Sequence, residues 1–152
     1  ARFIHICRHP YDVYRSNMHI AREGHVTYQL HDSSEADCYS ARFLDNYHAM
    51  ESAWRREAGD LPAGQRVEVR FEDLERNPLA VVRQIYRELG LEFTDQFEQR
   101  LHRYLRAHAG YVKNRHRALR PEVRARIDAK MGSFLDEWGY LDEQASPRRA
   151  AA

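Results

Sequence analysis

Residues 3 to 16 read Phe-Ile-His-Ile-Cys-Arg-His-Pro-Tyr-Asp-Val-Tyr-Arg-Ser, and this stretch decides the fold class. The apolar run before Arg8 predicts a short strand over residues 2–7, of the kind that is buried on both faces in a parallel sheet. Pro10 suits a first helical turn and an acidic residue follows it, so we expect a helix to about Glu23. A strand that ends in Arg8 and leads into a helix carrying Ser16 presents one cation and one hydroxyl to a single anion.

The rest of the chain predicts further helices and one more strand. After a polar loop over residues 25–35, apolar residues at three- and four-residue spacing predict a helix that ends near Gly59. Alternation over residues 67–71 predicts a second strand. Helices are predicted from Asn77 to a closing Gly90, from Thr94, and from Pro121 to about Glu137. This order is typical of an α/β fold with a crossover between parallel strands. The apolar face of the helix before Gly59 comprises Tyr39, Phe43, Leu44, Tyr47, Met50 and Trp54.

Composition excludes several classes of function. The 152 residues carry a net charge of only +1, so no overall field points to nucleic acid. The two cysteines form no disulfide framework, and the nine histidines show no metal-ligand spacing, so no metal site is predicted. No apolar run approaches the roughly 20 residues that a membrane helix needs. A cytoplasmic location is favoured.

Four segments occur in an order that resembles a known family. They are the strand end with Arg8 and Ser16, the sequence Arg-Phe-Glu-Asp-Leu at residues 70–74 followed by Asn-Pro, Leu-Gly-Leu at residues 89–91, and a basic loop after Tyr111. Together they resemble sulfotransferases that use 3'-phosphoadenosine 5'-phosphosulfate (PAPS) and release adenosine 3',5'-bisphosphate. The resemblance implies that such a chain transfers a sulfuryl group to an acceptor hydroxyl of a small molecule, carbohydrate or protein.

The resemblance also implies the nucleotide-binding residues. Arg8 and Ser16 match the positions that hold the 3'-phosphate, and Phe71 matches an aromatic residue near the adenine, where a ring can stack on a base. Lys113 and Arg115 lie where a late basic loop folds over the 3'-phosphate. Packing in the core is the competing interpretation of Phe71, and a solvated loop is that of Lys113 and Arg115.

The family's loop for the 5'-phosphosulfate and its catalytic base lie upstream of the Arg8 motif, so no catalytic residue is assigned. We therefore expect residues 1–142 to form the helix-rich C-terminal part of a P-loop-like parallel-sheet sulfotransferase domain, with a disordered tail over residues 143–152. On this interpretation the chain is inactive alone, and its exposed first strand is covered by a missing N-terminal segment or by a second copy.

Two other functions stay open at this point. A helical domain derived from the same fold could bind a nucleotide or a protein without turnover. The basic stretch from Arg115 to Arg126 could contact RNA, and a steep loss of affinity with salt would distinguish that function.

Overall fold

The computed structural model describes residues 1–23, 36–113 and 117–141. The chain divides into two compact units. The first unit comprises Ala1–Arg8 and Glu57–Arg115, and the second comprises His9–Arg56 and His116–Ala152. Each unit has its own buried apolar residues.

The first unit holds a two-stranded parallel sheet. Strand β1 (Phe3–Cys7) pairs with β2 (Arg66–Arg70), in a register that sets Phe3 opposite Arg66 and Cys7 opposite Arg70. Helices α3 (Phe71–Arg76), α4 (Pro78–Glu88) and α5 (Asp95–Ala107) follow β2. The alternating inward residues of β2 pack on the apolar face of α4, which gives a core of Val67, Val69, Val81, Ile85 and Leu89.

The bounds of α4 and α5 follow from local capping chemistry. The Asn77 side chain accepts a hydrogen bond from the Ala80 amide at 3.3 Å, and Thr94 accepts one from the Phe97 amide at 3.2 Å. These bonds satisfy amides that a helix start leaves without partners. Gly90 ends α4 in the left-handed region with φ of 60°. All three residues were predicted as helix boundaries.

The second unit is helical in its described residues. It contains α1 (Pro10–Glu23), most of α2 (Ala36–Glu57) and α6 (Pro121–Glu137). A 3-10 turn, Ala58–Asp60, follows α2 in the first unit. Helices α1 and α6 pack together. The core of the second unit comprises Tyr14, Leu44, Val123, Ile127, Met131, Phe134, Leu135, Trp138 and Tyr140.

The helix-rich α/β fold with parallel strands is confirmed, and three details differ from expectation. Phe71 begins a helix instead of ending the second strand, because Glu72 and Asp73 place negative charge in a first helical turn. Met50 is 69 % exposed, whereas the buried side chains among residues 39–57 of α2 are Ser40, Leu44 and Glu51. The apolar side chains of β1 are about half exposed, with Phe3 at 41 %, Ile4 at 50 % and Ile6 at 48 %.

Two predicted segments fall outside the described residues. They are the loop over residues 25–35 and the tail over residues 143–152.

Candidate functional site

Arg8 and Phe71 meet at one end of the sheet in the first unit. The Arg8 guanidinium carbon lies 4.4 Å from the centroid of the Phe71 ring, and both residues are half-buried. A cation over an aromatic face is attracted by the ring quadrupole. Two of the five predicted site residues are therefore in direct contact.

The strand register explains this contact. Cys7 and Arg70 are the last paired residues of β1 and β2, so Arg8 and Phe71 are the next residues along each strand. Because the strands are parallel, both residues leave the sheet at its carboxyl edge. In α/β folds with open parallel sheets, ligands bind at this edge. Arg8 occupies one face of the Phe71 ring, so a base can stack only on the opposite face.

Arg70 is a second cation at this edge that sequence reasoning did not assign to the site. It is half-buried and lies opposite Cys7 in the register. Its signal in the sequence is a cation near the end of the strand predicted over residues 67–71, comparable to Arg8 directly after the strand predicted over residues 2–7. Arg8 and Arg70 are therefore two cationic residues at neighbouring strand ends.

Cys7 is buried at the same edge, and its thiol is expected to be unreactive. Its thiol donates a hydrogen bond to the Val69 carbonyl at 3.4 Å. Burial, with the carboxylates of Glu68 and Glu72 nearby, raises the pKa of Cys7 from its ordinary value near 9 to about 12. The thiol is therefore protonated at neutral pH and is a packing group rather than a nucleophile.

Lys113 lies against α3, the helix that begins with Phe71. Its ammonium group forms an ion pair with Glu75 at 2.6 Å, and both side chains are largely exposed. The cation predicted to close over the nucleotide is thus held to the helix that carries Phe71. Arg115, the other predicted loop cation, lies outside the described residues.

Ser16 belongs to the second unit, where it is half-buried on α1. The start of that helix is organised by His9, whose Nδ1 accepts a hydrogen bond from the Tyr11 amide at 3.2 Å. His9 is 5 % exposed, and its ring lies 4.7 Å from the rings of Tyr11 and Tyr140. An N-cap acceptor is a role that the sequence analysis did not give to His9.

Neither a metal centre nor a membrane span is found in the part of the chain that the structure describes. No group of three or more His, Cys, Asp or Glu side chains could hold a metal ion there. None of its helices is both long and apolar enough to cross a membrane.

Comparison with known proteins extends the resemblance. Residues 1–95 match the model of the sulfotransferase family, a range that contains Arg8, Ser16 and Phe71. The chain is 32 % identical, over 155 residues, to an omega-hydroxy-beta-dihydromenaquinone-9 sulfotransferase, Stf3, of Mycobacterium tuberculosis (strain CDC 1551 / Oshkosh). The corresponding protein of Mycobacterium bovis (strain ATCC BAA-935 / AF2122/97) gives the same identity. No solved structure matches the chain significantly.

The match has a defined extent. It covers 98 % of this chain but 38 % of each mycobacterial relative, so the chain spans less than half the length of those proteins. The family model matches well over half of the chain. The chain belongs to the sulfotransferase family.

Proposed function

We propose that this chain binds the 3'-phosphate of PAPS through Arg8 and takes part in sulfuryl transfer to an acceptor hydroxyl. The observation that carries the proposal is the contact between Arg8 and Phe71 at the carboxyl edge of a parallel sheet. Family membership supports the nucleotide, because the family resemblance assigns Arg8 to the 3'-phosphate. Ser16 is the second contact that the resemblance assigns to this phosphate.

The proposed role of Arg8 follows from its chemistry. A guanidinium group offers a planar fork of donors that fits a phosphate in a bidentate manner. The Phe71 ring restricts the positions that the Arg8 side chain adopts, so less conformational entropy is lost when a phosphate binds. Phe71 is therefore proposed as a positioning residue for Arg8, and the adenine is proposed to stack on its opposite face.

In the reaction that we propose, the acceptor oxygen attacks the sulfur of PAPS. A new sulfur–oxygen bond forms as the bond to the 5'-phosphate oxygen breaks, and the acceptor proton passes to a base. The products are a sulfate ester and adenosine 3',5'-bisphosphate. We assign neither the base nor the group that stabilises the leaving phosphate to these 152 residues, so we expect the chain alone to bind nucleotide without transferring the sulfuryl group.

For the acceptor, we propose a hydroxyl group on a lipid-soluble molecule. The support is the 32 % identity to a sulfotransferase whose name includes an omega-hydroxylated dihydromenaquinone. An assay of a longer protein that contains this chain, with PAPS and either an omega-hydroxylated polyprenyl quinone or a simple sugar, tests the class of acceptor. Transfer to the sugar alone would contradict it.

Calorimetry with adenosine 3',5'-bisphosphate tests the nucleotide site. A hydrogen bond to a charged group contributes about 1.5–3 kcal/mol, so Arg8→Ala should weaken binding roughly 10- to 100-fold. Arg8→Lys keeps the charge but lacks the planar fork of donors, so its affinity should fall between those of the wild type and Arg8→Ala. Ser16→Ala should weaken binding less than Arg8→Ala does. Equal binding of the nucleotide by wild type and Arg8→Ala would show that Arg8 is not part of the site. Sulfation of an acceptor by the purified 152-residue chain would contradict the expectation that the chain alone does not transfer the sulfuryl group.

A further inference from the structure

Positive charge is concentrated in one stretch of this nearly neutral chain. From Gln99 to Pro121 the sequence contains no Asp or Glu, although the whole chain has 23 acidic residues and a net charge of +1. The same stretch contains seven cations, namely Arg100, Arg103, Arg106, Lys113, Arg115, Arg117 and Arg120. The first four lie in described residues of the first unit.

Helix α5 is anchored by one side only. Phe97 packs on α4 through the Tyr86 ring, at 4.7 Å between centroids, and Leu101 and Leu105 follow it at four-residue intervals and are half-buried. Arg100 lies three residues before Arg103 and four before Tyr104, so these side chains are neighbours on the helix surface. All three are exposed, and Tyr104 borders the packed face because it also lies three residues after Leu101.

The cations on this helix are available to a partner. Within the described residues no ion pair involves Arg100, Arg103 or Arg106, whereas Arg83 on α4 pairs with Glu98. The acidic residues of α5 are confined to its first turn, at Asp95 and Glu98. The later part of the helix therefore has an unneutralised positive surface.

Exposed apolar side chains occur on the same helix and directly after it in the chain. Tyr104 is 60 % exposed and stacks with His108 at 4.1 Å between ring centroids. The chain turns directly after α5, where the Tyr111 amide donates to the His108 carbonyl at 3.0 Å. Tyr111 is then 75 % exposed and Val112 is 80 % exposed. These three side chains are among the most exposed large apolar groups in the described residues.

We propose that this region docks on an anionic lipid bilayer. The α5 surface is defined here as Arg100, Arg103, Tyr104, Arg106, Tyr111 and Val112. Arginines attract anionic headgroups, tyrosines sit at the depth of the headgroups, and an aliphatic side chain gains free energy by entering the acyl boundary. The inference stands on this surface alone and does not depend on the nucleotide or acceptor proposed above.

Val112 favours lipid over nucleic acid as the partner. Arginine and tyrosine also suit single-stranded nucleic acid, where rings stack on bases. An adjacent, strongly exposed aliphatic residue has no comparable use on a phosphate backbone, but it is suited to the membrane interface. The net charge of the chain, only +1, also differs from the strongly basic balance that is typical of a nucleic-acid-binding domain.

Sedimentation with vesicles tests the proposal on the whole chain. We expect binding to vesicles of phosphatidylglycerol and phosphatidylcholine, and little binding to pure phosphatidylcholine. Each cation near an anionic surface changes affinity about fivefold, so Arg100→Gln with Arg103→Gln should weaken binding roughly 10- to 30-fold. Tyr111→Ser with Val112→Ser should weaken it without changing its dependence on salt. Binding should fall as salt screens the surface charge.

A matched control removes the same charge from elsewhere in the first unit. Arg66→Gln with Arg87→Gln alters two exposed arginines on β2 and α4 and should bind vesicles like the wild type. The Arg100 and Arg103 variant should retain its circular dichroism and its affinity for adenosine 3',5'-bisphosphate, which separates this test from the nucleotide site. The proposal would be overturned if the chain failed to bind anionic vesicles, or if the control variant lost as much vesicle affinity as the Arg100 and Arg103 variant. It would also be overturned if the chain bound single-stranded RNA more tightly than vesicles.

Discussion

At the scale of single residues, the pair formed by Arg8 and Phe71 carries the functional account. A cation–π contact contributes about 0.5–1 kcal/mol when exposed and about 2 kcal/mol when desolvated. This is enough to favour one orientation of the Arg8 guanidinium before any ligand arrives. The pairing of β1 with β2 thus brings Arg8 to Phe71, which orients Arg8 for the phosphate that we propose it binds.

Substitutions of Phe71 distinguish a role in orienting the Arg8 side chain from a role in core packing alone. We expect Phe71→Leu to weaken binding of adenosine 3',5'-bisphosphate about 2- to 5-fold, because Arg8 loses its aromatic support while its charge remains. Phe71→Tyr keeps the ring and should bind like the wild type. Calorimetry on both variants is the measurement. If Phe71→Leu lowered stability but left nucleotide affinity unchanged, Phe71 would be a core residue only.

Cys7 gives a prediction that depends on pH. Since burial raises its pKa to about 12, iodoacetamide should hardly modify Cys7 in the native protein between pH 7 and 9 and should modify it readily in denaturant. Because the folded state keeps a proton that the unfolded state loses above about pH 9, this thiol also favours unfolding as pH rises from about 9 towards 12. Mass spectrometry of the Cys7 peptide measures the labelling. Rapid native labelling at pH 8 would contradict the burial of this thiol.

At the scale of secondary structure, Gly90 fixes the end of α4. Its φ of 60° lies in the left-handed region, and the Leu91 amide donates to the Tyr86 carbonyl at 2.8 Å just beyond it. We expect Gly90→Ala to lower the free energy of unfolding by about 1–2 kcal/mol, because a Cβ atom is unfavourable in that conformation. Urea denaturation measures the change. Gly59→Ala has open space around the new Cβ and serves as the control. An equal effect of both substitutions would show that backbone conformation is not the cause.

The sequence predicted these helix ends well because capping is local. Asn77, Thr94 and Gly90 act on amides and carbonyls within a few residues, so their chemistry is readable without the fold. Phe71 was assigned wrongly to a strand because it continues the alternation of Val67 and Val69. The local signal against a longer strand is the pair Glu72 and Asp73, which favours a first helical turn directly after Arg70.

The candidate site was less predictable, since its geometry depends on strand pairing. The family resemblance selected Arg8 and Phe71 one by one, but their contact follows from a register between residues more than sixty positions apart. Because of the same separation in sequence, the pairing of Arg70 with Cys7 was not predicted. The N-cap role of His9 was also missed, because histidine is not among the usual capping residues.

At the scale of the whole molecule, β1 presents a partly uncovered apolar face. Ile4 and Ile6 point to the same side of the strand and are 50 % and 48 % exposed. Exposed apolar strands promote association. We propose that in the isolated chain a second copy covers this face.

Light scattering across a concentration series tests that association. The apparent mass should rise above the 18.0 kDa of one chain as concentration increases, and Ile4→Thr with Ile6→Thr should hold it near that value. Threonine is chosen because it keeps the β-branched shape that suits a strand. A wild-type mass that stays at 18.0 kDa at every concentration would contradict association through β1.

The measurement that tests the central claim most directly compares two ligands on two proteins. Wild type should bind adenosine 3',5'-bisphosphate more tightly than adenosine 5'-monophosphate, which lacks the 3'-phosphate. Arg8→Ala should weaken binding of the bisphosphate roughly 10- to 100-fold and change the affinity for the monophosphate by less than about twofold. The preference for the bisphosphate should therefore disappear. An equal loss for both ligands, or a preference that survives in Arg8→Ala, would contradict the claim that Arg8 holds the 3'-phosphate.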